Sequence, residues 1–171
     1  MESTYSRLRG GDLRSIGAAD EIAREAESNL SVFCELVGGL CVPEGVVRMR
    51  CADALEKVTR THPEYLAPYA KELLKLIDPE QPKELLWHVV QMAPRVAWTG
   101  AKLPKVFQAV EACLASTSSI VKASAMQALF ELTQQAPSKV GEVSALIREL
   151  LQTGTPAMKA RGAKLLRKLA R

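Results

Sequence analysis

Carboxylates and serines, which can do acid–base or nucleophilic chemistry, are plentiful, but no motif orders them into a catalytic site in this sequence. It has two histidines, His62 and His88, and its cysteines form neither a CxxC pair nor a Cys/His cluster with the spacing of metal ligands. The motifs HExxH, GxxxxGKS/T, GxGxxG and GxSxG are absent from the sequence. We therefore predict no catalytic residue, no metal site and no cofactor, so the chain is not expected to be an enzyme.

A different set of side chains could bind a partner without doing chemistry. Along four predicted helices, twelve polar residues are spaced i, i+3 and i+7, so that each group of three shares one helical face. Two of them are Ser124 and Glu131. The other ten are the predicted partner contacts: Arg50, Asp53, Lys57, His88, Gln91, Arg95, Gln127, Arg161, Lys164 and Lys168. A simpler interpretation is that all twelve are the solvated side of amphipathic helices.

The elements that position these side chains repeat along the sequence. Beyond Pro63, apolar residues follow a helical spacing, and a shift of 37 residues maps them onto further apolar residues. Leu73, for example, maps onto Val110 and then onto Ile147. A second helix repeats in the same way, although its copy at 83–97 needs a shift of 38. Such repetition predicts helical hairpins that bury one another in a continuous apolar core.

The repeat predicts helix pairs that follow an N-terminal leader. The predicted first helices are 28–41, 63–77, 101–115 and 138–152, and the second helices are 45–60, 83–97, 119–135 and 156–170. Pro94 is expected to kink its helix. Residues 12–26 are expected to form a covering helix with Asp12 as its N-cap. The resulting division is a leader with a capping helix at 1–27 and a repeat domain at 28–171, with pairs at about 28–60, 63–97, 101–135 and 138–171.

These helices carry a resemblance to a known repeat family. The segments "VVRMRCADALEKV", "IVKASAMQALFEL" and "AMKARGAKLLRKL" resemble the second helix of a HEAT repeat, while "YLAPYAKELLKLID" and "KVGEVSALIRELL" resemble its first helix. The resemblance covers about residues 28–171. It implies an all-α, right-handed α–α superhelix, a HEAT-like solenoid of about four helical hairpins with an N-terminal capping helix. It also implies that the second helices line a concave face, the usual binding face of the family.

Charge is distributed unevenly along the chain. Residues 1–85 contain 11 basic and 15 acidic side chains, whereas residues 86–171 contain 12 basic and four acidic ones. We expect a non-catalytic interaction module or scaffold whose partner is a protein or peptide of acidic character. The alternative is a nucleic-acid binder that uses basic residues on phosphates. Its candidates are Arg95, Lys122, Lys159, Arg161, Lys164 and Lys168.

The two tryptophans bear on a weaker third alternative, an enzyme. Certain DNA glycosylases are built from HEAT-like helices with a basic concave surface and tryptophans, but their tryptophan–aspartate constellation cannot be placed in this sequence. Trp87 is expected to pack between repeats. Trp98 follows a predicted helix and either anchors a partner or folds over its own repeat.

Composition and the N-terminal sequence indicate the compartment. The chain has 171 residues, of which 47% are hydrophobic and 25% charged, as in a soluble globular domain. The start, "MESTYSRLRGGDLRS", has no apolar segment of a secretory signal, and no run is long enough to span a membrane. We expect a cytoplasmic protein without membrane contact, in which four cysteines are reduced thiols: Cys34, Cys41, Cys51 and Cys113.

Overall fold

The computed structural model describes residues 3–169, which form α-helices and short 3₁₀ segments without a strand. The predicted all-α class is therefore confirmed. In chain order the α-helices of the described part are α1 (Thr4–Leu8), α2 (Ala19–Ala26), α3 (Leu30–Gly39), α4 (Gly45–Val58), α5 (Ala70–Leu76), α6 (Lys83–Met92), α7 (Lys102–Ala112), α8 (Ser119–Leu132), α9 (Val140–Thr153) and α10 (Pro156–Leu169). The 3₁₀ segments are Pro63–Tyr69, Ala93–Arg95, Cys113–Ala115 and Pro137–Lys139.

The predicted starts of the second helices, residues 45, 83, 119 and 156, are all confirmed. The predicted ends differ: α4 and α8 stop at Val58 and Leu132 instead of residues 60 and 135. The largest difference is in α6, which stops at Met92 and continues as a 3₁₀ turn through Pro94 instead of reaching residue 97. Proline lacks an N–H and cannot continue the α-helical hydrogen bonding. The predicted last helix extends to residue 170, which lies outside the described residues, as do residues 1, 2 and 171.

The predicted covering helix at 12–26 is wrong in its first half. Helix α2 begins only at Ala19, while a short helix, α1, precedes a loop at residues 9–18. Asp12 does not cap a helix; its Oδ1 accepts a hydrogen bond from the N–H of Arg14, 2.9 Å away. Such a local side-chain bond stabilises a turn in competition with helix. Gly17 lies in this loop with φ of 52°, a conformation that glycine adopts readily.

The chain divides into two compact units, Met1–Glu72 and Leu73–Arg171. In unit 1, α2 and α3 pack against α4, and α1 contacts both α3 and α4. Phe33 is buried between these elements, with its ring centroid 5.3 Å from that of Tyr65. Helix α3 approaches α4 closely at Gly39, where the absence of a side chain is required: an added Cβ would clash with Sγ of Cys51. The segment predicted as a leader thus packs within this unit.

In unit 2, α8 is the central helix and contacts α6, α7, α9 and α10. Its apolar residues Met126 and Leu129 are fully or almost fully buried, as is Ile147 of α9. Gly162 lets α10 pack closely, since a Cβ at this position would lie 2.6 Å from Cδ2 of Leu151 and 3.2 Å from Sδ of Met126. Burial of this apolar surface is the main stabilising contribution to the unit.

The apolar side of α10 differs from the prediction. The repeat places Met158, Gly162, Ala163, Leu166 and Leu169 in the core, but Ala163 is exposed, and Leu166 and Leu169 are only half-buried. Leu165 is the buried leucine instead, with 3% of its surface exposed. Helix α10 packs against both α9 and α8, so its buried face is set by two neighbours and is rotated from the simple repeat. Across residues 3–169, no helix is both long and apolar enough to cross a bilayer.

Candidate functional site

A groove of ≈ 580 Å³ opens on unit 2 between the second helices α6, α8 and α10. We call it the basic groove. Its lining includes Gln91 of α6 and Arg95 of the 3₁₀ turn that follows α6, and α8 contributes Ser124, Gln127 and Glu131. The side chains on α6 and α8 are connected to one another: Nε2 of Gln91 donates to Oγ of Ser124 at 3.2 Å, and Nε2 of Gln127 donates to Oε1 of Glu131 at 2.7 Å. This wall is polar and partly ordered by its own hydrogen bonds.

The wall formed by α10 is cationic. Arg161, Lys164 and Lys168 line the groove and are all exposed to solvent. Within residues 3–169, neither Arg161 nor Lys164 has a hydrogen bond or an ion pair with another side chain. Nζ of Lys168 lies 5.8 Å from the ring centroid of Phe130, at the outer limit of a cation–π contact. These three cations therefore keep most of their capacity to attract an anionic ligand.

The structure brings six of the ten predicted contacts together in this groove, with Ser124 and Glu131 of the same polar face beside them. The six are Gln91, Arg95, Gln127, Arg161, Lys164 and Lys168. His88 does not line the groove and is only 2% exposed, so the expectation that it faces water is wrong. Its imidazole lies against the Trp87 ring, with 3.5 Å between the ring centroids, on the helix that packs against α8.

The remaining predicted contacts, Arg50, Asp53 and Lys57, lie on α4 in unit 1, where the same face is covered. Arg50 is 2% exposed and Asp53 is 7% exposed, so the expectation of a solvated face is wrong for both. The covering elements are the loop at residues 9–18 and α2, which packs against α4. A partner could not reach these two side chains while the loop and α2 stay in place.

The Arg50 guanidinium is satisfied by main-chain carbonyl groups. Its Nη1 donates to the carbonyl oxygens of Leu8, at 2.7 Å, and Arg9, at 3.2 Å. Its Nε donates to the carbonyl oxygen of Ser15 at 2.9 Å, and Nη2 lies 3.4 Å from that of Asp12. Charge-assisted bonds of this kind offset the cost of burying the cation.

Lys57 joins α4 to α2 through two carboxylates. Its Nζ donates to Oδ2 of Asp53 at 2.6 Å and also to Oδ1 of Asp20. The hydrogen bond from Lys57 holds the pKa of Asp20 below its ordinary value of 3.8. Partial burial lowers the pKa of Lys57, but the bonds to Asp20 and Asp53 outweigh it and the pKa is raised. The ion pair therefore favours the charged forms of Lys57 and Asp20.

The four second helices present these polar residues in one register. Helices α4, α8 and α10 each have 14 residues, and the sixth residue of each is Arg50, Ser124 and Arg161 respectively. Counted from the start of α6, the sixth residue is His88. This sixth position is buried in α4, α6 and α8 and exposed only in α10. The same sequence position thus has a different environment in the last described helix.

Sequence reasoning missed the role of the N-terminal loop. The acceptors around Arg50 are backbone carbonyl oxygens, which every residue has, so no residue type marks them. The signal in the sequence was the presence of three glycines within residues 9–18. In the structure all three have positive φ: 79° at Gly10, 70° at Gly11 and 52° at Gly17. Glycines with such φ values mark a non-helical loop.

The other candidate residues do not line the groove. Of the nucleic-acid candidates, Lys122 is half-buried and Lys159 exposed, but neither lines it. Trp98 is 5% exposed, and its Nε1 donates to the carbonyl oxygen of Ala93 at 2.7 Å, so its ring packs on its own unit and does not project toward a partner. Trp87 is half-buried. Among the described residues, no three His, Cys, Asp or Glu side chains are grouped to hold a metal ion.

Taken together, fold and site define an all-α protein with an open basic groove on its second unit. The chain was compared with family models, with curated proteins and with solved structures, and it matches none of them.

Proposed function

We propose that the chain is a HEAT-like repeat module that acts without catalysis, by binding an acidic segment of a partner protein in the basic groove. The observation that carries the proposal is the α10 wall, where Arg161 and Lys164 are exposed without a side-chain partner in residues 3–169. Lys168 extends this cationic wall by one helical turn. Three cations on one side of a groove favour a ligand that supplies several carboxylates.

The repeat architecture is part of the same proposal. The register of the second helices and the packing of α8 against both α6 and α10 support a stack of helical hairpins. We propose that this stack is the right-handed solenoid of HEAT-like proteins. The four free thiols suit a reducing compartment, so we place the module in the cytoplasm.

The groove can be tested by charge reversal. A fluorescein-labelled peptide of alternating Glu and Ala residues is titrated with the full chain, and binding is followed by fluorescence anisotropy. We expect Arg161→Glu, Lys164→Glu and Lys168→Glu, combined, to weaken binding at least about tenfold, because each change replaces an attraction by a repulsion. All three side chains are exposed, so the variant should fold.

The matched control reverses the same number of charges elsewhere in unit 2. Lys102 and Lys105 on α7 and Arg148 on α9 are exposed and do not line the groove. The combined change of these three to Glu should alter affinity by less than about threefold, since only screened long-range attraction is lost. Equal weakening by both triple variants, or no binding of the acidic peptide to the parent chain, would rule out the groove as the site.

The same titration separates the nucleic-acid alternative. A labelled single-stranded oligonucleotide and a labelled duplex replace the peptide, and each affinity is measured from about 50 to 200 mM salt. Phosphate binding predicts a loss of affinity of about 10³-fold or more over this range for six contacts, whereas a protein interface depends less on salt. Tighter binding of a nucleic acid than of the peptide at about 150 mM salt would overturn the proposal.

A further inference from the structure

Unit 1 contains a peptide segment bound to the polar face of a second helix. Four carbonyl oxygens, those of Leu8, Arg9, Asp12 and Ser15, surround the Arg50 guanidinium at 2.7–3.4 Å. Further along the same segment, the Asp20 carboxylate pairs with Lys57. Residues 8–20 therefore show what kind of chain segment this helix face holds, and with which groups.

The carbonyl oxygens are available because the segment is not helical. In a continuous α-helix each carbonyl accepts from the N–H four residues on, so it cannot turn toward an arginine. Helix α1 ends at Leu8, and Gly10, Gly11 and Gly17 take positive φ in the loop that follows. The glycine turns direct several carbonyl groups to one point, where a planar guanidinium with five N–H donors can bind them together.

Helix α10 has the same two cations at the same two places as α4. Both helices have 14 residues, with arginine sixth (Arg50 and Arg161) and lysine thirteenth (Lys57 and Lys168). Seven residues along an α-helix place the two cations about 10 Å apart in each case. On α4 the cations are occupied by residues 8–20, and on α10 they face the open groove.

One difference between the two helices defines the charge of the ligand. The ninth residue is Asp53 in α4, where it pairs with Lys57, but Lys164 in α10. The α10 face therefore has two more positive charges than the α4 face. On the α4 face, Asp20 of the N-terminal segment and Asp53 of the helix itself both pair with Lys57. A ligand of the basic groove should bring at least two carboxylates where the N-terminal segment brings one.

We propose that the basic groove binds a partner peptide with a glycine turn, whose free carbonyl oxygens bond Arg161, followed by acidic side chains that pair with Lys164 and Lys168. This proposal deepens the function proposed above and rests on it. It adds a recognition of backbone conformation to the recognition of negative charge, because a helical acidic segment presents the carboxylates without the carbonyl oxygens.

The experiment uses two labelled synthetic peptides with the same charge. The first copies residues 8–27 of this chain, which contain the glycine turn and the acidic residues Asp20 and Glu21. The second carries Gly10→Ala, Gly11→Ala and Gly17→Ala, which favour a continuous helix. Anisotropy titrations with the full chain should show the glycine peptide binding at least about tenfold more tightly, a difference of about 1.4 kcal/mol.

Two variants of the full chain locate the binding and identify its mode. Arg161→Lys keeps the charge but lacks the guanidinium fork, so we expect it to remove the difference between the peptides. Lys168→Gln should weaken both peptides equally, because both carry the same carboxylates. Arg161 and Lys168 are exposed, so neither change should disturb the fold.

The outcomes distinguish this proposal from the function on which it rests. Equal affinity of the two peptides, or a difference that persists in Arg161→Lys, would overturn the glycine-turn proposal, while groove-dependent binding of the Glu/Ala peptide would leave the proposed function intact. If the Glu/Ala peptide binds the groove and the residue 8–27 peptide does not, the glycine-turn proposal alone fails. If no acidic peptide binds, both fail.

Discussion

Helices α4 and α10 have a similar polar face, but this face is covered in α4 and open to solvent in α10. On α4 the arginine is 2% exposed and is surrounded by carbonyl oxygens of the chain's own N-terminal segment. On α10 the corresponding Arg161 is exposed and lines an open groove. The helix position and the residue type are the same, so the difference comes from what covers each face.

The contacts on the covered α4 face are the basis of the proposal for the open α10 face. Arg50 and Lys57 hold an internal segment through main-chain carbonyls and a carboxylate, which are groups that any peptide can offer. An exposed arginine and lysine in the same places support the proposal that the α10 face binds a peptide. The five predictions that follow either break this comparison or sharpen it.

The largest effect is expected for a charge placed in the apolar core of either unit. Leu55 of α4 and Leu129 of α8 are the eleventh residues of their helices and are 0% and 1% exposed. Leu55→Asp and Leu129→Asp should each lower the free energy of unfolding by about 3–5 kcal/mol, because an unpaired carboxylate is buried. Urea unfolding followed by circular dichroism measures the loss.

Ile120→Asp is the control for the core substitutions. Ile120 lies on α8 as well but is 46% exposed, so the change should cost less than about 1 kcal/mol. A Leu129→Asp protein as stable as the parent would contradict the packing of α8 and, with it, the register on which the comparison of α4 and α10 depends.

The next effect comes from removing the two arginines one at a time. Arg50→Ala should lower the free energy of unfolding by about 2–4 kcal/mol, because several charge-assisted hydrogen bonds to carbonyl groups are lost. Arg161→Ala should change it by less than about 0.5 kcal/mol, since no described side chain depends on that guanidinium. If both substitutions lowered the free energy of unfolding equally in the same urea assay, the distinction between a covered and an open face would be wrong.

Cysteine labelling is expected to show a smaller effect, but it reports on each unit separately. Burial raises the pKa of Cys51 to about 12 in unit 1 and the pKa of Cys113 to about 11 in unit 2, whereas Cys34 and Cys41 are exposed. We expect a thiol reagent at pH 8 to modify the exposed pair rapidly and the buried pair only through opening of the structure. Mass spectrometry of the labelled peptides identifies each site.

The same labelling applied to Arg50→Ala tests where the N-terminal segment acts. Loss of its anchor should speed the modification of Cys51 more than that of Cys113, because α4 loses its cover in unit 1. Equal acceleration at both sites would mean that the arginine stabilises the whole chain and not the covered face of α4.

The smallest effect concerns the ion pair that closes the covered face. Lys57 lowers the pKa of Asp20 below 3.8, so this pair stabilises the folded state above the ordinary pKa and is lost as the pH falls through the lowered pKa. Asp20→Asn should therefore reduce stability slightly at pH 7, and this cost should shrink as the pH falls below 3.8. In a Lys57→Gln background the substitution should have no further effect at pH 7. A pH-independent cost would place the role of Asp20 elsewhere.

Much of the helix layout could be predicted from the sequence, because apolar spacing along a helix follows directly from its 3.6-residue period. The starts of α4, α6, α8 and α10 were correct for this reason. The last turns of α10 were less accurate, because Leu165 and not Leu166 is buried. A helix that packs against two neighbours is rotated about its axis so that apolar residues contact both of them. The residue pattern of that helix alone does not specify this rotation.

By itself, the sequence determined where the second helices begin and which side of each carries the polar residues, since both depend on short-range spacing. Only the tertiary structure decided which polar side is in contact with solvent. Arg50 and Arg161 have the same place in the pattern, but one is enclosed by a loop about 40 residues earlier in the chain. Burial of a polar face depends on packing between distant segments, and the carbonyl groups that make it possible carry no residue-specific signal.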